Sequence, residues 1–181
     1  MSDEIGLLRS IIAHRAHLAS TMGQIRAMID RRIDEHDLSK LNDDEFAGFA
    51  RINRVAREHK FGSPEYAEAM QREKPTLDLH FSRNRHHAER PGLMGLKAEE
   101  ARGLPDDATY WEARNAANMT WLDIVEMVCD WRAAQLGYGD NGRTWAENVE
   151  KNLEFKGKYL TPAQTWLARS VAASLGVDDA R

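Results

Sequence analysis

At 181 residues and 42% apolar content, the chain can bury the core of one ordinary domain, and a single domain over residues 1–181 is expected. A net charge of -4, with 25 basic and 29 acidic residues spread along the sequence, excludes an electrostatic footprint for wrapping extended nucleic acid. The single cysteine, Cys129, excludes an intrachain disulfide and a thiolate metal cage, and no stretch approaches the roughly 20 apolar residues of a membrane span, so a protein of the reducing cytoplasm is expected.

The periodicity is helical almost throughout. Ser2, followed by Asp3 and Glu4, opens a helix with Ile5, Leu8, Ile11, Ile12 and Leu18 at mostly three- and four-residue intervals, and His14 lies within it. A second helical stretch carries Ile25, Met28, Ile29 and Ile33 and delivers the chain to His36 and Asp37. Asn42 with Glu45 three residues later predicts a capping box for a helix through Phe46, Phe49, Ile52 and Val55. Ser63-Pro64 starts another helix, and Pro75 is placed to kink or restart it before Leu77, Leu79 and His80. From about Ala88 to Asp107 the sequence turns irregular, with Pro91-Gly92, Gly95, Gly103 and Pro105, which reads as one long connection or lid. Thr120 with Asp123, Thr144 with Glu147, and Thr161-Pro162 with Gln164 repeat the helix-start signal for three further helices, the first running to Gly137. No alternating strand pattern competes, and the fold class is all-α.

Histidines and carboxylates sit on several of these elements at intervals that predict convergence on a divalent metal. Neutral imidazole nitrogen and carboxylate oxygen suit iron, manganese, cobalt or zinc, with magnesium also compatible, and a hydrolytic centre leaves positions open for water and substrate. His14, His36, Asp37 and Asp130 supply four ligands of that kind. Asp123 is already explained as a cap partner, so Asp130 is preferred, and Glu126 one turn before it suits the orientation of a ligand. His80, Asn84 and His87 are spaced i, i+4 and i+7 on one stripe of a continuous helix. If the helix ends near Asn84, His86 or both histidines of the pair turn inward, and these residues complete a second metal position. Lys40, Arg83 and Arg85 suit phosphate oxygens, and Lys40, Arg83 and Asn84 are the candidate catalytic side chains.

His36-Asp37-Leu38-Ser39-Lys40, with His14 upstream and Asp130 downstream, resembles the H…HD…D signature of the HD superfamily of metal-dependent phosphohydrolases. Lys40 and the later run His86-His87-Ala88-Glu89 are also similar to the HD-GYP branch, although no GYP sequence follows the pair. The combination of AHR, HDLSK, RNRHH and EMVCDW looks like a helical family of bacteria and their phages, over about His14 to Trp131. The resemblance implies an HD-like helical bundle, with His14, His36, Asp37 and Asp130 around a first metal and His80, His86 and His87 as candidates for a second. It also implies hydrolysis of a nucleotide or a related small phosphate ester or anhydride by metal-activated water, in a bacterial cytoplasm or that of a phage host. Two alternatives stand beside it: an HD-type diiron oxygenase, and a protein that binds a nucleotide or a partner without turnover. Tryptophans at 121, 131, 145 and 166 fit a core and are compatible with a homodimer contact.

Overall fold

A computed structural model describes residues 2–59, 62–88, 119–138 and 142–176, and the greater part of the expected 88–107 connection, with Arg90, lies outside these residues. The described residues contain seven α-helices and no strand, so the chain is all-α. They are α1 (Ser2–Glu35), α2 (Asp43–Glu58), α3 (Pro64–Arg72), α4 (Lys74–Arg83), α5 (Trp121–Tyr138), α6 (Trp145–Lys156) and α7 (Pro162–Leu175), with short 3-10 turns at Leu38–Leu41 and Gly157–Tyr159. Where length alone suggests one domain, internal contacts divide the chain into two units, residues 1–36 and 37–181.

The first unit is α1. Two helical stretches are expected there, and one uninterrupted helix of 34 residues is found. The sequence between the stretches holds no proline, and Gly23 costs a helix interior only about 1 kcal/mol relative to alanine. Thr21 donates its hydroxyl to the carbonyl of His17 at 2.9 Å, a local bond that a helix accommodates.

In the second unit, α2 packs on the 3-10 turn, α3 and α4, while α5, α6 and α7 pack on one another. Ser63 caps α3 by accepting from Tyr66 N, and Pro64 occupies the first turn. Glu73 separates α3 from α4, and Pro75 stands in the first turn of α4, so the proline restarts the chain as a new helix. Gly48 on α2 lets α4 approach closely, because a Cβ at this position would collide with the Thr76 side chain. Thr144–Glu147 and Thr161–Gln164 form complete reciprocal boxes at the starts of α6 and α7. The apolar core joins Ile124, Met127, Val128 and Trp131 of α5 to Trp145, Val149 and Leu153 of α6 and Ala168 and Ala172 of α7. Trp145 also donates its indole N–H to the Ala172 carbonyl at 2.7 Å. Trp121 and Trp166 remain exposed, so two of the four tryptophans named above are core residues and two are not.

Candidate metal centre

Asp37 begins the 3-10 turn with φ 56 and ψ 10, a left-handed conformation that costs a residue with a Cβ about 1 kcal/mol and that aspartate tolerates better than most. Its carboxylate divides between two kinds of neighbour. Oδ1 stands 3.1 Å from His80 Nε2 and 3.5 Å from His86 Nε2, while Oδ2 accepts from Lys40 Nζ. His87 packs its ring 4.2 Å from that of His86 and 4.9 Å from that of His80, and ligand atoms of Asp37, His80 and His87 all lie within 4.8 Å of one another. Helix α4 ends at Arg83, and Asn84 turns into extended backbone with φ -110 and ψ 115. That early end, rather than one continuous helical stripe, brings both members of the His86-His87 pair inward.

Carboxylates behind the imidazoles fix their orientation. His80 Nδ1 lies 2.9 Å from Glu45 Oε2, and His86 Nδ1 lies 3.2 Å from Glu126 Oε1. With the Nδ1 proton donated to a carboxylate, the Nε2 lone pair of each ring faces Asp37, the arrangement that metal-ligating histidines use. His80 is 1% exposed, and its Nε2 makes no hydrogen bond, nor does the Nε2 of His87. A buried ring nitrogen left in this way is costly unless something else binds it. Metal–ligand bonds of about 2.0–2.2 Å set neighbouring ligand atoms roughly 3.0–3.5 Å apart, and the Asp37–His80 and Asp37–His86 separations match that spacing. Burial, followed by the charges of His86, Lys156 and His80, pushes the His87 pKa far below its ordinary value, keeping the ring neutral as a metal ligand requires. The residues present therefore fit a divalent cation.

Glu45 is the residue that sequence reasoning misplaced. Asn42 does precede α2 in extended backbone, but its side chain makes no cap bond. The Glu45 carboxylate is fully buried and accepts from Ser39 Oγ at 2.8 Å and Arg83 Nη1 at 2.8 Å as well as facing His80. Its spacing from Asn42 matches a capping box, and only the arrival of α4 reveals the competing use. Asn84 Nδ2 donates to Ser39 Oγ at 2.7 Å and to the His80 carbonyl at 2.9 Å, so the same cluster ties the end of α4 to the 3-10 turn.

The three side chains expected to contact substrate are engaged with the protein. Arg83 forks onto Asp44, at 2.6 and 2.8 Å, as well as onto Glu45, bonds that raise its guanidinium pKa further. Lys40 covers Asp37, and Asn84 is buried against His80. Arg85, expected to meet phosphate, pairs with Asp123 through two bonds of 3.1 Å. Asp123 itself completes the cap of α5 by accepting from Thr120 N at 2.7 Å and Thr120 Oγ1 at 2.9 Å. Burial raises its pKa, but the bonds from Arg85 and Thr120 outweigh this and leave it lowered. Asp123 is thus the cap partner, while Asp130 brings a carboxylate oxygen within 4.8 Å of an Asp37 ligand atom.

His14 is not brought to His36. Both belong to the first unit, and about 22 residues of continuous helix place them roughly 30 Å apart at 1.5 Å per residue, so one ion cannot take both from a single chain. This removes His14 from the four-ligand set drawn from the sequence. His36 itself ends the first unit, one peptide bond before Asp37. The chain belongs to a family described as a family of unknown function (DUF5662), whose model matches residues 3–171. No curated protein and no solved structure matches it.

Proposed function

We propose that this chain is a metal-dependent phosphohydrolase of the HD type, acting on a nucleotide or a related small phosphate ester or anhydride. The observation that carries the metal-dependent part is the pair of imidazoles, His80 and His86, each backed by a carboxylate at Nδ1 and each aiming Nε2 at Asp37 Oδ1. The phosphate substrate follows from the resemblance of HDLSK and the flanking residues to the HD superfamily. His80, His86, His87 and Asp37 are the proposed ligands, Asp130 brings a carboxylate oxygen close to Asp37, and His36 remains the imidazole of the sequence signature. Iron, manganese, cobalt or zinc suits such a nitrogen-rich set. When bound there, the cation lowers the pKa of a coordinated water toward neutrality and stabilises charge on a phosphoryl oxygen.

The protein's own groups prepare the site. Glu45 holds the His80 tautomer, and Arg83 compensates the buried Glu45 charge. Glu126 does for His86 what Glu45 does for His80. Arg83 and Asn84 therefore act as positioning residues. Protein purified without chelators should contain a divalent transition metal. It should release phosphate from at least one member of a nucleotide panel, and chelation should abolish that release. Metal-free protein that also releases nothing after supplementation with manganese, iron, cobalt or magnesium would refute the assignment. Oxygen consumption by iron-loaded protein, without phosphate release, would instead identify the oxygenase alternative.

A further inference from the structure

We propose that α1 is a dimerisation helix, pairing antiparallel with the α1 of a second copy of this chain. Positions 8, 11, 15, 18, 22, 25 and 29 follow one another at alternating steps of three and four, the period of about 3.5 residues by which one helix winds around another. Six of the seven are Leu8, Ile11, Leu18, Met22, Ile25 and Ile29, and Arg15 is the exception. Of these six only Ile29 is partly buried, and the other five are exposed. The opposite face, through Ser20, Gln24, Ala27 and Arg31, holds no large apolar side chain. A helix in water draws most of its stability from packing such a stripe against another element, so α1 is built to be covered.

Area and charge select a second copy as the occupant. Ten large apolar side chains of α1 are 43–69% exposed. At roughly 80 Å² each they offer about 800 Å², the area that a stable interface buries on each partner. The helix carries five basic and five acidic residues, so it lacks the excess of positive charge by which a helix lies on an anionic membrane surface. The charges on the stripe set the direction of pairing. Glu4, Arg15 and Arg32 continue the same spacing, and a parallel pair in register sets each of them against its own copy, three layers of like charge that repel. An antiparallel pair has none. With Leu8 opposite Ile25 of the partner subunit and Ile11 opposite Met22 of the partner subunit, Arg15 lies against Leu18 of the partner subunit, where its stem packs while its guanidinium reaches water. The same alignment brings Glu4 within one turn of Arg32 of the partner subunit, an attraction where the parallel pair has repulsion.

Mass in solution decides. By sedimentation equilibrium the full-length protein should have twice the mass of one chain. Ile11→Glu combined with Met22→Glu sets like charges together in either direction of pairing and should halve that mass. Ile11→Glu combined with Met22→Lys sets opposite charges together only in the antiparallel pair and should restore the dimer. Ser20→Glu, on the opposite face, should leave the dimer unchanged. A monomeric unaltered protein overturns the proposal and leaves the stripe to another protein or to the rest of this chain. A dimer that survives Ile11→Glu/Met22→Glu with a native circular dichroism spectrum also overturns it, since the contact then lies elsewhere. A monomer in Ile11→Glu/Met22→Lys overturns the antiparallel direction. If the doubly altered chains do not fold, a nitroxide on Arg31→Cys in a Cys129→Ser background decides by pulsed electron paramagnetic resonance. Labels roughly 45 Å apart uphold the antiparallel pair, and labels within about 25 Å, or no paired signal, overturn it.

Discussion

His14 and His80 are the same residue type on the same kind of element, and the difference between them is made by their neighbours. On α1 the positions one turn before and after His14 hold Ser10, Ile11, His17 and Leu18, so no carboxylate of its own helix face addresses the ring, and the side chain is exposed. His80 on α4 is buried, with Glu45 behind one nitrogen and Asp37 before the other. The two histidines were equally good ligands by residue type. A carboxylate at Nδ1 and burial at Nε2 separate a prepared ligand from a surface imidazole.

The largest expected effect tests that contrast directly. His80→Ala should weaken Co2+ or Zn2+ binding by more than the roughly 100-fold that marks the upper range for outer residues, and should abolish turnover. His14→Ala should leave both unchanged in the same calorimetric titration, and a comparable loss there would break the comparison. Glu45→Gln comes next, with about a 10- to 100-fold loss of metal affinity because the His80 tautomer is no longer fixed. Nitrogen chemical shifts of His80 in the metal-free protein should report mixed tautomers in that variant and a single Nδ1–H form in the parent.

A smaller effect concerns pH. In the unfolded chain His87 titrates near its ordinary value of 6.5, whereas burial first, and His86 second, depress it in the folded chain. The unfolded state therefore takes up a proton that the folded state refuses. Stability contributed above pH 6.5 is lost as pH falls below it, by at most about 1.4 kcal/mol per pH unit for one proton. Urea unfolding of metal-free protein from pH 7.5 to pH 5 should show this decline, and His87→Asn should make it shallower. The smallest effect lies away from the centre: Thr161→Ala removes one half of the box at the start of α7 and should cost about 1 kcal/mol in the same unfolding measurement, with metal affinity unchanged.

Local chemistry made most of the fold legible. Thr120, Thr144 and Thr161, each followed three residues later by an acid or amide, mark helix starts because both partners of a cap lie within one turn of chain. Pro75 marks a restart for a similarly local reason. The same logic failed at Glu45, where a local cap and a distant imidazole compete for one carboxylate and the distant partner prevails. It also joined His14 to His36, since residue type carries no information on the length of helix between them.

The sequence by itself determined that this chain is all-α, where most of its helices begin, and which imidazoles and carboxylates were available as ligands. Only the tertiary structure decided that Asp37, His80, His86 and His87 meet, that Glu45 and Glu126 stand behind two of those rings, and that Lys40, Arg83 and Arg85 are turned to the protein's own carboxylates. Helix starts depend on bonds spanning three or four residues, which a sequence displays directly. The centre depends on side chains about 40 to 90 residues apart along the chain, and their meeting is fixed by how the helices pack.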